Sequence, residues 1–210
     1  SGTKYAVLVG IDTYADEAIK SRKHAEADAL ALYSLFTNPK IGGIPKENVR
    51  LLLGKPSADG KKATREAFLD ALKWVSETAK ADDQVVFAFL GNGGPVGDSG
   101  DRRCYFLADS TFKGRDKDAV SPEEIEEKFK AFKPRNICVL LDVDFTAIKE
   151  DKAIAIAEPT LGRAPYREFL GDDGTDDHLP LAGRIAFLAT NGLSASMDLE
   201  KHGLFTTVLL

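Results

Sequence analysis

Polar residues that could take part in chemistry follow two apolar runs of this 210-residue chain. The run that begins at Val85 ends in Leu-Gly-Asn-Gly, which contains Asn92. The run that begins at Ile137 ends in Asp-Val-Asp, with Asp142 and Asp144. Apolar runs of this kind are typical of buried parallel strands, whose carboxyl ends carry the functional groups of α/β proteins. We therefore expect the three polar side chains to meet at one edge of a sheet.

The two aspartates form a carboxylate pair. Asp142 and Asp144 are two residues apart, so we expect them to project from the same face of a strand as neighbouring carboxylates. No thiol or imidazole lies beside these aspartates or beside Asn92 at the ends of the two runs. A second interpretation of Asp142 is structural, as an acceptor for backbone N–H groups.

The elements that would position these residues alternate between strand and helix. We predict strands over residues 4–11, 49–53, 85–90, 104–108, 137–142 and 184–189, and helices over 25–36, 64–79 and 121–132. Thr64 and Ser121 are suited to cap the second and third helices. Residues 95–103 and 146–183 lack periodicity and are predicted to be loops. This alternation predicts an α/β fold with a mainly parallel sheet and helices on both faces.

The composition is that of a globular protein, with 43% apolar and 29% charged residues, and we expect one domain over residues 1–210. The net charge of −5 argues against a nucleic-acid partner, and no apolar run is long enough to cross a membrane. We expect a cytoplasmic protein, because the sequence begins with no signal-peptide pattern. We also expect a monomer. Cys104 and Cys138 lie within apolar runs and are predicted to be small core residues.

Four pieces of sequence occur in an order that is typical of one family. They are the first strand from Tyr5 to Asp12, Tyr14, the pair Asp28-Ala29, and His202-Gly-Leu-Phe-Thr. On these residues the chain resembles the caspase-like cysteine peptidases, in particular the bacterial and metacaspase-type branch. The resemblance implies a caspase-like fold of three α-β-α layers. The chain stops at Leu210 within an expected helix, and the resemblance implies the rest of that helix and one more strand, which are missing here.

The resemblance breaks at the catalytic positions. The family has its catalytic His in Ser-Gly-His-Gly and its catalytic Cys in Asp-x-Cys-His-Ser-Gly or a close variant. The matching residues here are Asn92 and Asp144. Peptide cleavage by this family needs a thiolate to attack and an imidazole to move the proton. An amide cannot move a proton near neutral pH, and a carboxylate is a poor nucleophile toward an amide. We therefore expect no catalytic residue to be retained.

The resemblance also implies a binding pocket. Metacaspase-type relatives hold an Arg or Lys of the substrate with two aspartates, whose positions are filled here by Asp28 and Asp142. Two carboxylates at a sheet edge suit a guanidinium group. The alternative interpretation is that Asp28 only favours the start of a helix, where anions are stabilised.

Other polar residues carry weaker signals. His24, His178 and His202 are predicted to be surface residues, and we expect no cofactor and no metal ligands. The acidic run over residues 172–177 is a candidate for Ca²⁺, but it lacks the full calcium-loop pattern, so a solvated loop is favoured.

Three functions compete at this stage. The favoured one is an inactive peptidase homologue that binds a peptide or protein, through basic residues of the partner, within a larger protein. The first rival is an active hydrolase, either with residual peptidase activity or as a phosphatase, since Asp142-Val-Asp144-Phe-Thr146 resembles the first motif of haloacid-dehalogenase-type phosphatases. The second rival is a purely structural domain.

Overall fold

Seven strands form one sheet in the computed structural model, which describes residues 2–96, 102–146, 166–177, 179–189, 197 and 199–210. The strands are β1 (Lys4–Gly10), β2 (Val49–Leu53), β3 (Lys61–Lys62), β4 (Gln84–Val96), β5 (Arg102–Tyr105), β6 (Asn136–Asp144) and β7 (Arg184–Leu188). Their order is β3-β2-β1-β4-β6-β7, and all neighbours along this path pair in parallel. β5 pairs antiparallel with the end of β4. The predicted mainly parallel sheet is confirmed.

Six helices accompany the strands in the described part of the chain. They are α1 (Ala25–Thr37), α2 (Arg65–Thr78), α3 (Arg115–Asp118), α4 (Pro122–Lys130), α5 (Arg167–Leu170) and α6 (Leu204–Leu209). The predicted caps are confirmed. Thr64 accepts a hydrogen bond from the N–H of Ala67, and Ser121 and Glu124 form a reciprocal capping box. None of the described helices is long and apolar enough to cross a membrane.

The helices cover both faces of the sheet, because each face has its own apolar core. One core joins α1 and α6 to the sheet through residues such as Leu8, Leu32 and Leu90. The other joins α2, α4 and α5 to the opposite face, and its centre is aromatic, with Phe87 in ring contact with Phe129 and Phe169. The result is a three-layer α-β-α fold, as the sequence predicted.

Helix α1 approaches β1 very closely at Gly10. A Cβ atom added at Gly10 would overlap the carbonyl oxygen of Ala25 and would lie 2.6 Å from the methyl group of Ala29. Glycine is therefore required for α1 to pack at this height. Because Asp28 lies in the first turn of α1, this contact fixes the position of its carboxylate relative to the sheet.

Two strands at the site continue beyond their predicted ends. β4 continues to Val96 instead of stopping at Leu90, and β6 continues to Asp144 instead of Asp142. The small and polar residues after Leu90 indicate the end of a strand. Their main chain nevertheless pairs, Gly91 and Asn92 with β6 and Gly93 to Val96 with β5, and this pairing cannot be seen in side-chain types. Asn92 and Asp144 therefore lie within strands, not after them.

Shorter elements were also missed by the sequence. The two-residue strand β3 has no hydropathy pattern. Strand β5 was predicted, but it lies at Arg102–Tyr105 instead of residues 104–108. Helix α5 lies inside the stretch over 146–183 that was predicted to be a loop. Residues 97–101 and 147–165, which make up much of the two predicted loops, lie outside the described residues.

The close approach at Gly10 can be tested by Gly10→Ala. The added methyl group has no room, so helix α1 must shift away from β1, and we expect unfolding free energy to fall by about 1–3 kcal/mol. Denaturant titration would measure the loss. Glu77→Ala is the control, because Glu77 makes only an exposed ion pair with Lys73 and its loss should change stability by less than about 1 kcal/mol. Equal stabilities of the two variants would contradict the tight packing.

Candidate functional site

The sheet register brings the predicted site residues together. Asn92 on β4 is directly opposite Asp144 on β6, and Leu90 is opposite Asp142. Residues paired in this way on neighbouring strands lie about 5 Å apart and project from the same face. That face is the one covered by α1 and α6, since Leu90 and Leu140 belong to the core beneath these helices. The expectation of one shared edge is therefore confirmed.

The carboxylate of Asp142 is fully buried and already has a cationic partner. Arg22 Nη2 lies 3.0 Å from Asp142 Oδ2, and Arg22 Nη1 lies 3.3 Å from Oδ1. The same Nη1 donates to the main-chain carbonyl oxygens of Asp142, at 2.8 Å, and of Gly91, at 3.0 Å. Only 7% of the Arg22 side chain is exposed. The arrangement is a two-pronged, charge-assisted guanidinium site, which is among the stronger polar contacts in proteins.

Asp28 lies close to this pair and is also engaged. Its Oδ1 is 2.6 Å from His202 Nδ1, and its Oδ2 accepts a hydrogen bond of 3.0 Å from the N–H of Gly203. A Cβ atom added at Gly203 would lie 2.9 Å from Asp28 Oδ2 and 3.4 Å from Asp142 Oδ2. The two carboxylates predicted to form a pocket therefore converge on Gly203, and the absence of a side chain there leaves room for both.

Asn92 is buried and makes hydrogen bonds to the segment between β1 and α1. Its Nδ2 donates to the carbonyl oxygen of Lys20 at 2.5 Å, and its own N–H donates to the hydroxyl of Tyr14 at 2.8 Å. Burial raises the pKa of Tyr14, so this hydroxyl stays protonated at neutral pH. Within the part of the chain that the structure describes, Asn92 Oδ1 is buried without a hydrogen-bond partner.

Asp144 makes only local contacts among the described residues. Its Oδ1 accepts from the N–H of Thr146 at 2.7 Å and from the Thr146 hydroxyl at 2.6 Å. This is the hydrogen-bonded turn that Asp commonly makes with the residue two places later. The side chain is half-buried, so it is more accessible than Asn92 or Asp142.

Residues 12–24, the β1–α1 segment, form one wall of the site. Asp12 caps α1 by accepting from the N–H of Ala25 at 2.7 Å, and its carbonyl oxygen accepts from the N–H of Arg22 at 2.7 Å. Burial raises the pKa of the Asp12 carboxyl, against the lowering effect of its hydrogen bonds from the N–H groups of Glu26 and Ala25. Asp16 accepts from the N–H of Phe112 at 2.8 Å, and hydrogen bonds of this kind lower its pKa. The segment is thus fixed at both of its ends.

Neither cysteine is prepared for nucleophilic chemistry. Cys104 is buried, and burial raises the pKa of its thiol to about 12. Burial also raises the pKa of Cys138, in the middle of β6. A reactive cysteine needs a lowered pKa and an exposed, electropositive setting. Cys104 is therefore a core residue, as the sequence predicted, whereas Cys138 is only partly buried and packs against the edge of a core.

Among the described residues, no group of three or more His, Cys, Asp or Glu side chains is arranged to hold a metal ion. In the acidic run, Asp172 Oδ1 accepts from the N–H of Gly174 and Asp173 Oδ1 from that of Thr175. His178 lies outside the described residues.

The comparison with known proteins agrees with the fold. The family model for the caspase domain, of the peptidase class, matches residues 3–146, and the chain belongs to this family. A Geobacter sulfurreducens protein of known crystal structure is similar in fold, with a TM-score of 0.69 and 16% sequence identity, over 99% of this chain and 80% of that chain. At this identity the likeness shows the fold alone. No curated protein has a detectably similar sequence.

Two residues of the site were missed by the sequence analysis. Arg22 lies in an irregular segment, and nothing in the sequence around it distinguishes it from Lys20 or Lys23. His202 was predicted to be a surface histidine, but it contacts the buried Asp28 and is only 30% exposed. The His202-Gly203 motif was the one available sign that this histidine belongs to the site. Its contact with Asp28, 174 residues away in sequence, could not be predicted from the motif.

The structural weight of the Arg22 ion pair is tested by Asp142→Asn. The change keeps the side-chain shape but leaves the buried Arg22 charge uncompensated, and we expect a loss of about 3–5 kcal/mol in unfolding free energy. Asp144→Asn is the matched control, because the new amide oxygen can still accept from Thr146. It should cost less than about 1.5 kcal/mol. Denaturant titration of both would decide, and similar losses would mean that the Asp142 ion pair is not a principal contact.

Proposed function

We propose that this domain is a catalytically inactive caspase-like homologue that acts as a peptide- or protein-binding module. One observation carries the proposal. Asn92 and Asp144, which the resemblance matches to the catalytic His and Cys, lie directly opposite each other on β4 and β6. The strand ends are thus assembled as a pair, but the side chains on them are an amide and a carboxylate.

The contacts of these two residues support a structural use. The Asn92 amide donates a hydrogen bond to the Lys20 carbonyl oxygen, and the Asp144 carboxylate accepts one from Thr146. Attack on a peptide carbonyl requires a thiolate beside a base, and the loss of both members of such a unit removes nearly all of its rate enhancement. The imidazole of His202 is paired with Asp28, and the two cysteines have raised pKa values.

Binding is the remaining use of the site. The carboxyl edge of β4 and β6 carries Asp142, and Asp28 lies beside it. We propose that a basic residue of a peptide or protein binds there. Nucleic acid is disfavoured as a partner by the net charge of −5. We further propose that the domain works as a monomer in the cytoplasm and needs no cofactor.

The rival functions have weaker support. A phosphatase of the Asp-x-Asp-x-Thr type would need a free Asp142 carboxylate to attack phosphorus, but both oxygens of Asp142 face Arg22. Residual peptidase activity would need a nucleophile other than Cys104 or Cys138. A purely structural domain would not need two converging carboxylates, which are costly to bury.

The inactivity is tested by a peptidase assay on reporter peptides that end in Arg, Lys or Asp. We expect no turnover above that of a Cys104→Ser and Cys138→Ser double variant, because no described thiol has an activating base. An aryl phosphate assay with and without Mg²⁺ should also be negative. Turnover by the repurified wild-type protein would overturn the proposal, and its persistence or loss in the double variant would show whether one of these cysteines is the nucleophile.

The match of the catalytic positions is tested by installing both groups, with Asn92→His and Asp144→Cys. Since the two positions are in register, an imidazolium at one should lower the thiol pKa at the other. We expect the introduced thiol to react with iodoacetamide at pH 6 at least about tenfold faster than the thiol of Asp144→Cys alone, as one pKa unit corresponds to a tenfold change in thiolate. Equal rates in two folded variants would show that the positions are wrongly matched.

A further inference from the structure

We propose that the site at Asp142 is a guanidinium-binding site which the chain fills with its own Arg22, so that an arginine-bearing peptide binds only by displacing the β1–α1 segment. This inference rests on the proposed binding function and specifies both its ligand and its regulation. It also gives Asn92 a role, as the residue that holds the segment in place.

The contacts around Arg22 define what the site selects. Among the described residues, its acceptors include the two carboxylate oxygens of Asp142 and two carbonyl oxygens, one from each of the neighbouring strands β4 and β6. A planar guanidinium presents fixed N–H groups that can meet all of these acceptors, whereas an ammonium group is a compact charge with three donors. The site therefore favours Arg over Lys, a distinction that two carboxylates by themselves would not make.

The segment around Arg22 resembles a bound peptide in its geometry. The Arg22 side chain is buried, while its neighbours Ser21 and Lys23 are exposed, and neither helix nor strand includes them. The local sequence Lys20-Ser21-Arg22-Lys23 thus presents one inserted arginine between solvent-facing residues. It is a template for the external ligand, which we infer to be an extended peptide with a central arginine.

Asn92 and Asp142 hold this segment at two points. The Asn92 amide binds the carbonyl oxygen of Lys20, and Asp142 binds the side chain two residues later. Both residues project from the same face of neighbouring strands, and Lys20 Nζ adds a contact of 3.4 Å to the carbonyl oxygen of Thr146. An amide at position 92 is well suited to this role, because it is a neutral donor at every physiological pH.

Tethering gives Arg22 an advantage over any free peptide. A side chain on a short tether competes at an effective concentration on the order of millimolar. The apparent affinity for an external ligand is reduced by the fraction of molecules in which the site is open. Removal of Arg22 should therefore increase affinity for a free guanidinium while leaving the acceptors in place.

The test compares Arg22→Ala with the wild-type protein, with a fluorescein-labelled Lys-Ser-Arg-Lys peptide and ethylguanidinium as probes. We expect Arg22→Ala to bind the peptide at least about tenfold more tightly by fluorescence anisotropy. Ethylguanidinium should raise the melting temperature of the variant, whereas ethylammonium should raise it much less. Lys23→Ala is the matched control, since it removes an exposed basic residue from the same segment and should leave both readouts at the wild-type level.

Three outcomes decide the proposal. Binding that is gained in Arg22→Ala and lost again when Asp142→Asn is added supports it. A folded Arg22→Ala that binds neither probe better than the wild type overturns it. If Arg22→Ala does not fold, Asn92→Ala replaces it, because the ion pair remains while the Lys20 contact is lost.

For Asn92→Ala we expect peptide affinity to rise severalfold and amide hydrogen exchange in residues 20–24 to accelerate, and unchanged values of both would overturn the proposal. Failure here is distinguishable from failure of the proposed function. Peptidase turnover by the wild-type protein would refute inactivity without changing the behaviour of Arg22→Ala.

Discussion

The buried ion pair between Arg22 and Asp142 is the contact on which the site depends. Burying either charge alone would be costly, and the pair is tolerated because the guanidinium has at least four oxygen acceptors within the described part of the chain. This requirement fixes the end of β6, the neighbouring carbonyl of β4 and the path of the β1–α1 segment relative to one another. Removing one partner would leave the other charged, buried and unpaired, so the three elements are energetically coupled.

A second polar contact extends this coupling to the C-terminal part of the chain. Asp28, in the first turn of α1, receives His202 and the N–H of Gly203, and Gly203 lies against both Asp28 and Asp142. The close packing of α1 on β1 at Gly10 places Asp28 at the required height. A site that relatives are expected to keep open for a substrate is thus filled here by main-chain and side-chain groups of the same chain. Such an arrangement is consistent with recognition that is controlled by exchange of one arginine for another, and not by bond cleavage.

Much of the fold could be predicted because burial determines where apolar residues occur along the sequence. The long apolar runs of β1, β4 and β6, and the amphipathic pattern of α2, follow directly from packing on a parallel sheet. The edge shared by Asn92, Asp142 and Asp144 followed from the same reasoning. The end of β4 could not be predicted, because its last residues are held by main-chain pairing with β5, which side-chain types do not reveal.

The sequence by itself determined the family and the α/β class, since these depend on residue identity and order. Only the tertiary structure decided that Arg22 occupies the acidic site and that His202 belongs to it. Arg22 and Asp142 are 120 residues apart in sequence, and His202 and Asp28 are 174 apart. Contacts at such separations are set by the path of the chain across the sheet, and an irregular segment such as residues 12–24 carries no periodicity from which that path could be read.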